Sequence, residues 1–389
     1  MLGVDANVFW LGVTSLLNDT SSEIIYPLLP TFVTVVLGGG PGAVGLIEGV
    51  AESTASLLKL AAGWLSDRLQ RRKGLVVMGY GIAAASRPLV AMAVAPWQVL
   101  LIRFTDRTGK GLRTAPRDAL LAESSPPSEL GRSFGFHRAM DHLGAVIGPL
   151  LAFLLVTVFA ESYRIVFALA SIPGLISVVV LAISVRESRR RAAPTAPAAV
   201  RLRIPSPPVR GFLLAVFLFT LGNSTDAFLL LRAQDLGVPV AALPLLWGML
   251  HAVKSASSVP GSALSDRIGR KRVIVAGWVW YVLVYLGFAY AGNALAVWIL
   301  FAAYGLFFGL TEGAEKALVA DLARPAERGS AFGLYHLAIG VVALPASVLF
   351  GVIWSWWGAA LAFTAGAAFA GVAALVFVLL VPEAARTRP

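Results

Sequence analysis

The chain has 389 residues, none of them cysteine, and only 14% of them are charged. The absence of cysteine excludes disulfides and thiolate metal sites. Soluble domains carry about 25% charged residues, and a soluble fold of this length has nowhere to bury a hydrophobic fraction of 58%. The composition therefore predicts a membrane protein, because the bilayer interior is as apolar as these side chains.

The sequence contains no motif that is typical of a metal or cofactor site. The histidines are too scattered for a local metal motif: His137, His142, His251 and His336. No nucleophile elbow or metal motif of fixed spacing accompanies them. We therefore expect no metal site, no cofactor and no enzymatic activity.

Apolar segments long enough to cross a bilayer recur along the whole chain. A spanning helix needs about 20 mostly apolar residues. We predict twelve spans, at 8–37, 43–65, 75–95, 97–121, 133–158, 162–185, 211–234, 241–264, 273–292, 294–320, 330–352 and 357–381. The first is interpreted as a retained span, because its apolar stretch exceeds signal-peptide length and no cleavage site follows it.

The net charge of +11 is unevenly distributed. Basic residues concentrate in alternate loops, as in Arg71, Arg72 and Lys73 after the second span. The positive-inside rule places these loops and both termini in the cytoplasm. Because the basic residues flank membrane spans rather than forming a soluble module, nucleic-acid binding is disfavoured.

An internal repeat divides the chain. Leu65–Arg68 recurs as Leu264–Arg267 and Phe134–Gly135 as Phe332–Gly333, at offsets of 199 and 198. This repeat predicts two pseudo-symmetric six-helix bundles that share a site near the bilayer midplane. Their expected bounds are 1–185 and 211–389, joined by a basic, proline-rich cytoplasmic linker at 186–210.

The loop after the second span contains Gly63, Asp67 and Arg68, followed by a basic cluster, and Asp266 and Arg267 begin a second copy. This pattern resembles the loop signature of the major facilitator superfamily. Carboxylates here can meet a helix N-terminus or basic groups when the cytoplasmic side is closed. We interpret the motif as a gating element; topogenic charge is the alternative.

Two further motifs carry the same resemblance. Arg103, followed by Gly109, resembles the superfamily's arginine motif of the fourth span, and Gly144, Gly148 and Pro149 resemble the glycine-proline motif of its antiporters. The resemblance implies an all-α integral membrane fold of twelve helices. It also implies a secondary transporter that works by alternating access, a monomer in the cytoplasmic (inner) membrane of a prokaryote.

Several acidic groups lie within predicted spans, where a charge is costly unless it faces a wet cavity or a partner. Because buried carboxylates can carry protons and histidine titrates near neutral pH, we regard the following as proton-coupling candidates: Asp19, Glu23, Asp226, Asp141, His137 and Glu312. Pairing with Lys316, four residues away, is the alternative for Glu312, and a structural hydrogen-bonded role is the alternative for the others.

Basic and acidic residues also form stripes within spans. Arg103, Arg107 and Lys110 recur at steps of three or four on the fourth span, where they can bind an anionic substrate or pair with nearby acids. Further substrate-cavity candidates are Glu48, Glu52, Lys59, Lys254 and Glu315. An internal ion pair is the alternative for the stripe on the second span.

The function predicted from these features is proton-coupled export of a small organic solute. The partners expected are a small-molecule substrate, protons and the lipid bilayer. The substrate can be an anion, an amphipathic drug or a metal chelate. A proton-coupled uptake symporter is the alternative within transport; a membrane receptor or membrane enzyme is the alternative from another class.

Overall fold

The computed structural model describes residues 5–69, 72–125, 130–159, 162–187, 207–322 and 328–382. Helices dominate these segments, and the described residues contain no β-strand. The helices are α1 (Ala6–Ile25), α2 (Leu29–Thr31), α3 (Pro41–Leu69), α4 (Arg72–Val90), α5 (Pro96–Ser124), α6 (Leu130–Val158), α7 (Tyr163–Ser184), α8 (Pro207–Gly222), α9 (Ala227–Asp235), α10 (Leu243–Ile268), α11 (Arg270–Tyr290), α12 (Ala294–Leu322), α13 (Arg328–Trp357) and α14 (Ala359–Leu380).

The twelve-helix prediction is confirmed once two interrupted spans are each counted as one. Helix α1 continues through a 3₁₀ turn at Tyr26–Leu28, the short α2 and a π-helical turn at Phe32–Val36. Pro27 and Pro30 cause this change of helix type, because proline has no N–H to donate to the preceding turn. Seven of the described segments are long and apolar enough to cross a bilayer by composition alone; charged residues set α5 apart from these seven.

The predicted span 211–234 is present, but it is interrupted near its middle. Helix α8 ends at Gly222 and α9 begins at Ala227, so the span is broken over Asn223–Asp226. Polar side chains explain the break. Asn, Ser and Thr compete with helical hydrogen bonds, and the Tyr281 hydroxyl donates to the carbonyl oxygen of Gly222 at 3.0 Å.

The described residues form two compact units. The first, hereafter unit 1, comprises 5–39, 50–187 and 239–248; the second, unit 2, comprises 40–49, 207–238 and 249–382. These units differ from the predicted halves at 40–49 and 239–248. Most of the predicted linker, 188–206, lies outside the described residues, so the linker and the bundle bounds stay a prediction.

Corresponding helices pair in the same way within each unit. In unit 1, α1 packs against α6 and α7, while α4 packs against α5 and α7. In unit 2, α8 packs against α13 and α14, while α11 packs against α12 and α14. The four pairings of unit 1 thus recur in unit 2, as expected for two related six-helix bundles.

Candidate functional site

The acids of α1 lie inside unit 1 and are held by hydrogen bonds. The Asn18 amide donates to Asp19 Oδ1 at 2.9 Å. Trp247 Nε1 donates to Glu23 Oε2 at 2.7 Å, and the Trp247 ring lies 4.8 Å from that of Tyr26. Both carboxylates are partly rather than fully buried, so each keeps some access to its surroundings.

The glycines of the antiporter-like motif lie where α6 meets these acids. A Cβ added to Gly144 would lie 2.7 Å from the Leu16 carbonyl oxygen and 3.0 Å from Asp19 Cβ. A Cβ on Gly148 would lie 2.6 Å from Glu23 Cβ. Pro149 follows within the same helix. Small residues are required here because they let two helices approach closely in a membrane, and the approach fixes both acids.

Asp106 on α5 is the centre of a buried charge cluster. Its Oδ1 lies 3.2 Å from Arg87 Nε, and its Oδ2 lies 3.7 Å from Arg103 Nη1 and 4.0 Å from Arg107 Nη1. Arg103 also lies over the Tyr26 ring at 5.7 Å. Arg103 and Arg107 thus have an acidic partner within unit 1, and anion binding by these two residues stays a prediction.

Sequence reasoning missed Arg87 and the central role of Asn18. Arg87 donates to the Asn18 carbonyl oxygen at 3.0 Å and to Asn18 Oδ1 at 2.9 Å. Arg113 Nη1 donates to the same Oδ1 at 3.1 Å. Arg87 is an intramembrane arginine in the predicted span 75–95, and that alone marks it as a candidate. A small cleft lined by Arg87, Arg103 and Asp106 lies beside this network.

Asp141 on α6 joins a second polar group in unit 1. It accepts a hydrogen bond from the Ser15 hydroxyl, and its Oδ2 lies 3.6 Å from His137 Nδ1. Arg138 lies 3.8 Å away but points outward, with 60% of its side chain exposed. Asp141 also interacts electrostatically with Asp19. The structure thus brings together three of the proton-coupling candidates: Asp19, Asp141 and His137.

Lys110 lies among charges of both signs. Its charged neighbours are the basic residues Arg107 and Lys59 and the acidic residues Glu52 and Asp19. Glu52 in turn interacts with Lys110, Arg107 and Lys59. The stripe predicted on the second span therefore meets the basic face of α5. Glu48 belongs to unit 2 and is buried.

In unit 2, Asp226 lies at the helix break, as the residue directly before α9. Its Oδ1 accepts from the Tyr304 hydroxyl at 2.7 Å, and its Oδ2 lies 3.6 Å from Lys254 Nζ. Lys254 Nζ also lies 3.5 Å from the centroid of the Phe308 ring. Asn223 Oδ1 accepts from Tyr304 at 3.4 Å. Two predicted candidates, Asp226 and Lys254, are thus direct partners.

The two acidic candidates of α12 differ in exposure, since Glu315 is half-buried and Glu312 is exposed. Glu315 accepts from Trp278 Nε1 at 2.9 Å and from the Tyr335 hydroxyl at 2.8 Å. Glu312 pairs with Lys316 at 2.8 Å, with nearly half of each side chain exposed. Glu315 therefore holds aromatic groups together, and Glu312 forms an ordinary surface pair.

The loop motifs show matching ion pairs. Arg72 Nη2 lies 3.1 Å from Glu123 Oε1, and Arg270 Nε lies 3.4 Å from Asp321 Oδ2. Both arginines are separated by 198 residues, as are both acids. Arg267 is exposed. The structure does not describe the surroundings of Gly63 or the side chains of Asp67, Arg68 and Asp266. The gating role of these residues stays a prediction.

The described residues form twelve helical spans with charged groups in their interior, which is the architecture of a polytopic membrane protein. The family model of the Major Facilitator Superfamily matches residues 11–253 and 212–389. The chain belongs to this superfamily of transporters, so it is not an enzyme, and the resemblance seen in its motifs is confirmed.

Relatives in other organisms agree with this assignment. The chain is 35% identical to the uncharacterized MFS-type transporter MJ1317 of Methanocaldococcus jannaschii, over 90% of this chain and 88% of the relative. It is 24% identical to the multidrug resistance protein MdtH of Aeromonas hydrophila, over 86% of this chain and 84% of the relative. The crystal structure of the nucleoside transporter NupG matches with a TM-score of 0.79 and 14% identity, covering 96% of this chain and 98% of that chain. The crystal structure of a NupG mutant matches with a TM-score of 0.81.

Proposed function

We propose that this protein exports a small organic compound in exchange for protons, by alternating access. The observation that carries the proposal is the position of Asp19 and Glu23 on α1, at the contact with Gly144 and Gly148 of α6. A proton carrier must change its charge inside the membrane, and that requires carboxylates held by neutral donors. The Asn18 amide and Trp247 indole are such donors.

Two features support export over uptake. The glycine-proline motif that resembles antiporters lies directly against the candidate proton carriers. A relative is named a multidrug resistance protein. The partners follow from this function: a small-molecule substrate and protons, in a protein of the cytoplasmic membrane. Lys110 is the basic residue of α5 that remains best suited to contact substrate.

The test is proton flux in liposomes that contain purified protein and a lumenal pH dye. A pH gradient is imposed, and pools of organic cations, organic anions and metal chelates are added in turn. We expect one pool to move protons out of the acidic compartment and Asp19→Asn or Glu23→Gln to reduce this flux to that of empty liposomes. Asp118→Asn, in a partly exposed pair with Arg117 at 2.8 Å, is the matched control and should retain flux.

The direction of solute movement decides between the two kinds of transport. Solute that moves against the proton flow supports export, whereas solute that moves with it identifies an uptake symporter. Solute flux that leaves lumenal pH unchanged contradicts proton coupling.

A further inference from the structure

The ammonium group of Lys254 lies between a carboxylate and the face of an aromatic ring. Its Nζ is 3.6 Å from Asp226 Oδ2 and 3.5 Å from the centroid of the Phe308 ring. Proteins recognise organic cations with this combination of negative charge and ring face. The ammonium of Lys254 thus lies where the cationic group of a ligand would bind.

Tyr304 contacts both the carboxylate and the ring and holds them in place. Tyr304 donates to Asp226 Oδ1 at 2.7 Å, and its ring packs edge-on against Phe308 at 5.1 Å. Tyr304 and Phe308 are one turn apart on α12. Lys254 reaches them on a flexible four-carbon stem, and its 3.6 Å distance to Asp226 exceeds the roughly 2.8 Å of a close charge-assisted hydrogen bond.

Charge selects the kind of ligand that can replace Lys254. The side chains of Lys254 and Asp226 each retain 19% exposure, so the pair is accessible from one side. An incoming cation keeps Asp226 neutralised, so the carboxylate is not left as an unpaired charge within the membrane. An anion meets both the carboxylate and the negative face of the ring, and it gains nothing from either.

We propose that Asp226, Tyr304 and Phe308 form a substrate subsite for an organic cation, and that Lys254 occupies this subsite when substrate is absent. The proposal rests on the transport function proposed above and names its substrate class. The ammonium of Lys254 competes with the cationic group of the substrate for the same carboxylate and the same ring.

Equilibrium binding to purified protein in detergent tests the proposal without a proton gradient. The probe is tetraphenylphosphonium, with tetraphenylborate as an anion of the same shape. We expect the phosphonium to bind, and Lys254→Met to tighten its binding by about tenfold, because the internal competitor is gone. Lys316→Met, which removes an exposed lysine of the same unit, is the matched control and should leave binding unchanged.

The ring is tested in the absence of the lysine. In the Lys254→Met background, Phe308→Leu should weaken phosphonium binding by about three- to thirty-fold. The effect should be smaller when Lys254 is present, since the ring then holds the competitor as well. Phe104→Leu, at an exposed ring on α5, controls for the loss of an aromatic group elsewhere.

Three results would overturn the subsite: unchanged or weaker phosphonium binding in Lys254→Met, no difference between Phe308→Leu and Phe104→Leu, or tetraphenylborate binding that disappears with Lys254→Met. If Lys254→Met fails to fold, amine labelling of the wild-type protein replaces it. Phosphonium should then increase labelling of Lys254, and no increase contradicts displacement. Phosphonium binding is measured without a proton gradient. A negative result for proton coupling in liposomes therefore does not affect the binding test, and each proposal can fail without the other.

Discussion

At the scale of single residues, one carboxylate organises several cations in unit 1. Asp106 lies within 4.0 Å of Arg87, Arg103 and Arg107. Its side chain is almost completely buried, so water cannot replace it. The carboxylate is therefore the counter-charge that allows these arginines to lie within the bundle.

Replacing Asp106 by asparagine should destabilise the protein strongly. The change leaves buried arginines without a full negative charge, and breaking a buried pair costs about 3–5 kcal/mol. Unfolding in detergent and denaturant, followed by tryptophan fluorescence, measures the loss. Asp118→Asn should cost less than about 1 kcal/mol, because its pair with Arg117 is partly exposed.

A double variant separates charge from shape. The double variant Arg87→Met, Asp106→Leu should lose less stability than the sum of the two single changes. Removing both side chains leaves neither member of the Arg87–Asp106 pair without the other. Strict additivity would show that Arg87 and Asp106 are energetically independent, despite the 3.2 Å between them.

At the scale of helices, α6 positions the acids of α1 through two glycines. Gly144 faces the Leu16 carbonyl oxygen and Asp19 Cβ, and Gly148 faces Thr20 and Glu23. In the sequence, these glycines resemble part of the antiporter motif. The structure supplies their physical role, which is to allow close approach at the two candidate proton carriers.

A methyl group at either glycine should disturb this contact. Gly144→Ala brings Cβ to 2.7 Å from the Leu16 carbonyl oxygen, so backbone must move. We expect a loss of about 1–3 kcal/mol from overpacking and reduced proton flux in liposomes. Gly81→Ala on α4 is the control: nothing lies within 4 Å of its added Cβ, and stability should hold or rise by up to about 1 kcal/mol. Equal effects of both substitutions would contradict the role of the α1–α6 contact.

At the scale of the whole molecule, the basic loops predict orientation. Twelve spans with positive loops inside require both termini in the cytoplasm. This orientation predicts that the broken span made of α8 and α9 carries the chain outward and that the turn at Gly237, between α9 and α10, faces the outside.

Reporter fusions test this topology. A green fluorescent protein at the C-terminus should fluoresce, and alkaline phosphatase there should be inactive, because the first folds in the cytoplasm and the second needs export. Phosphatase inserted at Gly237 should be active. An active phosphatase at the C-terminus would reverse the orientation or change the number of spans.

Much of the fold follows from local features of the sequence. Apolar length and turn residues predict twelve spans because each span must satisfy its own backbone in lipid, and the repeat predicts the recurring helix pairings. The break over Asn223–Asp226 escaped prediction. Its apolar surroundings read as one span, whereas its stability depends on Tyr281, which is distant in sequence.

The sequence by itself determined that this protein is a two-fold repeated membrane transporter and which residues bear charge within its spans. Only the tertiary structure decided what those charges do. Arg103 and Arg107 pair with Asp106, Glu315 holds Trp278 and Tyr335, and Asp226 holds Lys254. The physical reason is that a charged residue within a span is visible in the sequence of that span, together with the free-energy cost of placing it in the membrane. The partner that offsets this cost comes mostly from another turn or another helix, and packing decides which partner it is.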